Sequence, residues 1–209
     1  MTDLSAPPAQ PASVATTAPE TGTAHGWPRR TSVCGIPELP KFASDRVSHL
    51  LSILDPAAEK PAALAEFRDG RRLELRFDDV VGEYHGYLPP QEAHLVEILA
   101  FGEELRAGPD GPDHLLVHCH MGISRSTAAM AILLAQHREG SEEAAFARLF
   151  EIRPRAWPNS RMVMLADRLL GRAGRLVEAL KRHQRRIIAH HPDIADLVIS
   201  VGRGHELPR

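Results

Sequence analysis

The sequence predicts an α/β domain with helices packed on a central sheet, and three observations carry that reading. Short apolar runs of strand length alternate with stretches whose apolar residues recur at helical spacing. Residues 126–137 (STAAMAILLAQH) have almost no polar side, which in a soluble chain buries the helix deep in the core. Turn-forming or charged residues follow each strand-like run, and no repeat interrupts the alternation.

In chain order, residues 1–30 form a head rich in Pro, Ala and Thr, with too few large apolar residues to offset chain entropy, and disorder is expected there. A catalytic domain is expected over 31–172. Within it, residues 48–54 (SHLLSIL), 73–77 (LELRF) and 114–118 (HLLVH) read as strands. Helices are expected over 56–67, over 90–106, where Leu95, Ile98, Leu99 and Leu105 share a face, and over 126–137, 142–150 and 160–170. Pro89 and Pro90 suit a helix entrance. Residues 173–209 are read as a basic C-terminal helix and tail, in which Leu176, Leu180 and Ile187 form a docking face and the arginines face water.

Composition narrows the function classes. Twenty-five basic against 27 acidic side chains give a formal charge of −2, so no global field points to nucleic acid, and any anion recognition must be local. Cys34 and Cys119 are too few for a disulfide framework, and a lone cysteine within a motif reads as a reactive thiol. The first residues carry an early acid and scattered prolines instead of a basic start and an apolar run, and no stretch is apolar enough to span a bilayer. A cytoplasmic location follows as the expectation. The twelve histidines, His85 and His94 among them, do not pair with cysteines or carboxylates at metal-ligand spacing, so neither a metal nor an organic cofactor is expected.

The chemistry is concentrated in HLLVHCHMGISRSTAAMAILLA, where a strand ends at Cys119, a tight loop follows and a buried helix starts near Arg125. That order suits an anion. Backbone N–H groups across His120, Met121, Gly122, Ile123, Ser124 and Arg125 can turn inward, and the helix start adds unpaired donors and its positive dipole end. Gly122 permits a close approach that a β-carbon would obstruct. Cys119 at the bottom of such a cup should ionise below the free value of ~8.5 and act as a nucleophile. Arg125 can grip two phosphoryl oxygens through its planar fork. Ser126 can bond the sulfur and ease its departure, Ser124 can brace the loop, and His118 can either orient the nucleophile or serve as a satisfied core histidine.

HCHMGISRS resembles the His-Cys-x-x-Gly-x-Ser-Arg-Ser signature of cysteine-dependent protein tyrosine phosphatases, in their dual-specificity branch. RPRAWPNSRMVMLADRLL resembles the Arg-Pro stretch and the Pro-Asn (Pro158, Asn159) before a helix in the same family, and the likeness spans roughly residues 31–170. The resemblance implies a central mixed, mainly parallel sheet flanked by helices. It also implies cleavage of phosphate monoesters on proteins, phosphotyrosine with phosphoserine and phosphothreonine, through a phosphocysteine.

The leaving oxygen needs a proton, and a carboxylic acid on a mobile loop is the usual source. Asp78 and Asp79 both end the strand LRFDD, ahead of the glycine-containing VVGEYHGYLPP. The residues alone leave the two open. The resemblance favours Asp79, since some members carry Phe-Asp-Asp with the second Asp as acid. Asp79 lies farther from Cys119 than is usual in the family, and an insertion at GPDGPD accounts for the difference. Rival readings are a phosphoinositide or other non-protein phosphatase, a sulfurtransferase, and a phosphate-binding pseudoenzyme. Loop residues His120, Met121 and Ile123, with no lysine among them, favour protein substrates.

Overall fold

The computed structural model describes residues 27–106 and 112–208. Most of the head, and most of the GPDGPD stretch, lie outside the described residues. Four strands, β1 (Arg30–Gly35), β2 (His49–Leu54), β3 (Arg71–Arg76) and β4 (His114–Cys119), form one sheet in the order β1-β4-β2-β3. Every pairing among the described strands is parallel, in line with the mainly parallel sheet that was expected. The reason is connectivity: each link from one described strand to the next is a crossover long enough to return the chain, and none is a hairpin turn.

Alternation along the strands sorts side chains cleanly onto two faces. Val33, Leu51, Ile53, Leu75, Leu115, Val117 and Cys119 enter the main core. Against this face pack α1 (Glu92–Glu104), α2 (Arg125–Gln136), α3 (Glu142–Ile152), α4 (Ser160–Leu169) and the start of α5 (Arg175–His190). Cys34, Leu50 and Leu116 point the other way, beneath two short 3-10 turns, Ile36–Phe42 and Ala62–Glu66, which contribute Leu39 and Leu64. Helix α2 is buried on all sides except at Leu134, as its uniform apolarity requires. Truncating Leu133 at its centre to alanine would cost about 2–5 kcal/mol.

Two elements differ from expectation. The helix expected over 56–67 is reduced to the Ala62–Glu66 turn, because Pro61 lacks an amide hydrogen and drives Lys60 out of the helical region. Strand β1 escapes sequence reading, since half of it is solvent-facing and polar. Leu176, Leu180 and Ile187 form a buried face on α5, while Lys181, Arg182, Arg185 and Arg186 are exposed. Asp167 on α4 starts this helix by accepting from the amides of Gly174 and Leu176. A further helix, α6 (Asp193–Ser200), and a 3-10 turn, Gly204–Glu206, follow it. Among the described residues no helix is long and apolar enough to cross a membrane.

Candidate active site

Residues 120–124 join the carboxyl end of β4, the strand flanked by β1 and β2, to the start of α2. Crevices at such strand ends are where open α/β sheets bind ligands. The outer side of the loop is tied down carbonyl by carbonyl. His120 O accepts from Ile36 N at 2.9 Å, Gly122 O from Arg153 Nε at 3.0 Å, and Met121 O from Arg153 Nη2 at 3.5 Å. Ile123 O accepts from Trp157 N at 2.8 Å, and Ser124 O from Ala128 N at 2.9 Å. The Thr127 hydroxyl bridges those last two carbonyls. No peptide bond of the described chain is cis, so each amide opposite an outward carbonyl points inward. The loop therefore presents a concave row of N–H groups from Met121 to Arg125, continued by the unpaired amides of the helix start.

Cys119 lies at the base of this row. Gly122 N donates to its Sγ at 3.3 Å, and Ser126 Oγ lies 3.1 Å from the same sulfur. Gly122 has φ +68°, and a β-carbon there would press on the backbone of Cys34 and Gly35. Gly35 is constrained in return, as a β-carbon on it would lie 2.9 Å from the backbone of Met121. Two glycines thus let β1 and the loop meet backbone to backbone, which no sequence pattern announces for Gly35.

Arg125 opens α2 and is buried. Its Nη1 donates to Phe77 O at 2.6 Å and lies 2.5 Å from Asp55 Oδ1, at the end of β2. Phe77 is itself stacked on His94, with ring centroids 4.8 Å apart. Nε of Arg125 is buried with no partner among the described residues. One corner of the fork is therefore fixed by protein oxygens while its Nε edge keeps an unspent donor, the edge a tetrahedral anion can take.

Both candidate acids follow β3, but they face differently. Asp78 closes the loop on itself: its Oδ2 accepts from Leu88 N at 2.7 Å and its own amide donates to Leu88 O. Asp79 turns to the loop after β4 and to the start of α4, its Oδ1 accepting from Ser124 Oγ at 2.7 Å and from Asn159 Nδ2 at 2.8 Å. Asn159 does two jobs at once, since its Oδ1 caps α4 by accepting from Met162 N. Arg161 pins the intervening segment through Pro90 O and Glu83.

The remaining predicted residues divide sharply. His120 and Met121 are exposed on the loop, and Tyr84 and Tyr87 are exposed on the segment that follows the two candidate acids. Ile123 sends its side chain away, into the cluster of Trp157, Ile187, Ile194 and Val198, so it can serve a ligand only through its amide. His118 projects to the opposite sheet face from Cys119, in register with Cys34 and Ser52. Burial holds its ring neutral, with the pKa pushed down to about 4, and neither ring nitrogen has a partner among the described residues. Cys34 is a free buried thiol, its pKa raised to about 12 by desolvation.

Sequence reading missed four participants. Asp55 gave no signal beyond ending a strand. Glu38 and Arg153 form a bidentate pair at 2.8 and 2.9 Å that holds the loop's outer edge, and the guanidinium keeps the Glu38 carboxyl below its ordinary range. Arg153 stands in the Arg-Pro stretch and could have been found there. Arg203, contributed by the C-terminal turn, donates to Ser124 Oγ at 2.7 Å.

No family model and no curated protein matches the sequence. Solved structures do resemble it. Human DUSP28 aligns with 68% of this chain and 91% of its own, at 24% identity and a TM-score of 0.50. Tk-PTP in its active form aligns with 68% of this chain and 92% of its own, at 25% identity and a TM-score of 0.49. The Yvh1 phosphatase domain of Chaetomium thermophilum aligns with 74% and 96%, at 23% identity and a TM-score of 0.47.

Proposed function

On a chain that shares the fold of the dual-specificity phosphatases, we propose hydrolysis of phosphate monoesters through a phosphocysteine on Cys119. The observation that carries the proposal is the outward tethering of every loop carbonyl from His120 to Ser124, which turns the amides around the sulfur into a fixed anion receptor. In the first step the Cys119 thiolate attacks phosphorus as the P–O ester bond breaks, and Asp79 delivers its proton to the departing oxygen. In the second, the Asp79 carboxylate takes a proton from water, whose oxygen attacks phosphorus; the P–S bond breaks, releasing orthophosphate and the thiolate. Arg125 holds two equatorial oxygens throughout, and Ser126 stabilises the departing sulfur from 3.1 Å.

The substrate class we propose is phosphorylated protein side chains. Support comes from the loop, which carries no lysine and exposes the apolar Met121. Turnover of para-nitrophenyl phosphate that disappears in Cys119→Ser is the expected result, and turnover that survives the substitution overturns the mechanism. Capture of phosphopeptides by the Cys119→Ser variant is expected in a mixed panel; capture of phosphoinositides alone would reassign the substrate.

A further inference from the structure

Helix α6 ends in a way that aims one arginine back at the site. Gly202 N donates to Ile199 O and Arg203 N to Val198 O, each at 2.9 Å, with Gly202 at φ +76°. This paired closure reverses the chain, and glycine is what permits it. Ile194 and Val198 anchor the helix against Trp157 and Ile187, so the reversal is fixed relative to the loop. Arg203 is consequently buried, 6% exposed, although it stands only six residues before the last residue of the sequence.

Its charge is matched locally. Nε donates to Glu206 Oε2 at 2.7 Å, and Glu206 is held in turn by Trp157 Nε1 at 3.1 Å and by the Ser160 hydroxyl. With that edge of the fork committed, Nη1 reaches Ser124 Oγ at 2.7 Å and lies 3.5 Å from Asp79 Oδ1. A guanidinium can only donate, so Ser124 Oγ accepts from it and must send its own hydrogen elsewhere. It sends it to Asp79 Oδ1. Oδ1 thus receives Ser124 and Asn159, with the Arg203 charge close by, and Oδ2 is the oxygen left to carry a transferable proton.

We infer that Arg203 is a positioning residue for proton transfer: acting through the Ser124 hydroxyl, it fixes which oxygen of Asp79 faces the leaving group. The inference rests on the reading of Asp79 as the acid. It gives the C-terminal extension a share in the chemistry that its sequence, read as a basic tail, does not suggest.

Leaving-group dependence tests it, because an acid matters for phenyl phosphate and hardly at all for 2,4-dinitrophenyl phosphate. Arg203→Gln is expected to lower kcat/KM, which reports the first step and not hydrolysis of the shared phosphocysteine, about 10-fold on phenyl phosphate, part of the ~10²–10⁴ that general acids supply, and less than about 2-fold on dinitrophenyl phosphate. In an Asp79→Asn background it should cost nothing further on phenyl phosphate, since both changes act on one step. Equal losses on the two esters, no loss on either, or losses that multiply in the Asp79→Asn background would overturn the inference. Arg203→Lys keeps the charge opposite Glu206 and covers the case of a poorly folded glutamine variant. It should show the same selectivity at smaller amplitude, and a flat response again counts against the inference. Should Asp79→Asn itself lower kcat/KM on both esters alike, the acid assignment fails; a selective Asp79→Asn beside an unselective Arg203→Gln removes Arg203 alone.

Discussion

A β-carbon on Gly122 would lie 2.4 Å from the carbonyl carbon of Cys34. The contact is backbone on backbone, between the loop after β4 and the end of β1, so neither side can yield by rotating a side chain.

Gly122→Ala should therefore displace the loop. The φ of +68° alone costs about 1–2 kcal/mol for a residue with a β-carbon, and relieving the clash must shift the amide that donates to the Cys119 sulfur. The expected outcome is a lowered Tm together with a kcat reduced on the order of 10²-fold, in the range seen when one anion-stabilising donor is lost. Steady-state kinetics beside a thermal melt check it, and wild-type turnover in the alanine variant would show the approach to be unimportant.

Arg125 is oriented by Asp55 and the Phe77 carbonyl. Arg125→Lys should lower kcat/KM on the order of 10²–10³-fold, because a point charge cannot span two oxygens. Asp55→Asn keeps an oxygen in place but removes its charge, so a milder loss of about 10-fold, mainly as raised KM for phosphate esters, is expected. Inhibition constants for orthophosphate, measured on both variants, separate the two contributions.

In the proposed mechanism the Ser126 hydroxyl, 3.1 Å from the Cys119 sulfur, stabilises that sulfur as it leaves the phosphocysteine. Ser126→Ala should spare the first step and slow the second, so rapid mixing with para-nitrophenyl phosphate would give a burst of nitrophenolate approaching one equivalent, followed by slow turnover. Absence of a burst, with both phases slowed equally, would assign Ser126 a purely architectural part.

Two buried imidazoles set an acid limit on stability. Burial pushes the pKa of both His118 and His183 down to about 4, against ~6.5 in an unfolded chain. Between those values the unfolded state binds more protons. Stability thus falls as pH drops below ~6.5, and the loss is complete below about 4, at roughly 3 kcal/mol per ring. Urea midpoints at pH 7.5 and 4.5 should differ by more in the wild type than in His183→Gln, which retains a donor for the Ala156 carbonyl now bonded by Nε2. Parallel pH dependences would show that His183 is not held neutral.

Much of this was legible because local patterns and tertiary environment agree. The apolar run of α2 can only be a core helix, and the strand–loop–helix order around Cys119 already implies inward amides. Legibility ends where two distant segments meet. Asp55 and Phe77 end separate strands, and only sheet order brings both to Arg125. Asp78 and Asp79 both lie past the end of β3, where strand alternation no longer assigns a face; the Leu88 contacts, which engage Asp78 in its own loop, are tertiary. The Ala62–Glu66 turn shows propensity overridden by two prolines. Arg203 was hidden most thoroughly, because basic residues near a chain end usually face water and only the Gly202 reversal turns this one inward.

Cys34 and Cys119 sit on neighbouring parallel strands yet project from opposite sides of the sheet, each into its own apolar cluster. Thiols whose β-carbons diverge cannot be bridged without moving the backbone. If peroxide converts Cys119 to a sulfenic acid, the chain therefore offers no resolving thiol to arrest the oxidation at a reversible disulfide. Recovery would depend on glutathione or another external reductant reaching the cup before sulfinic acid forms.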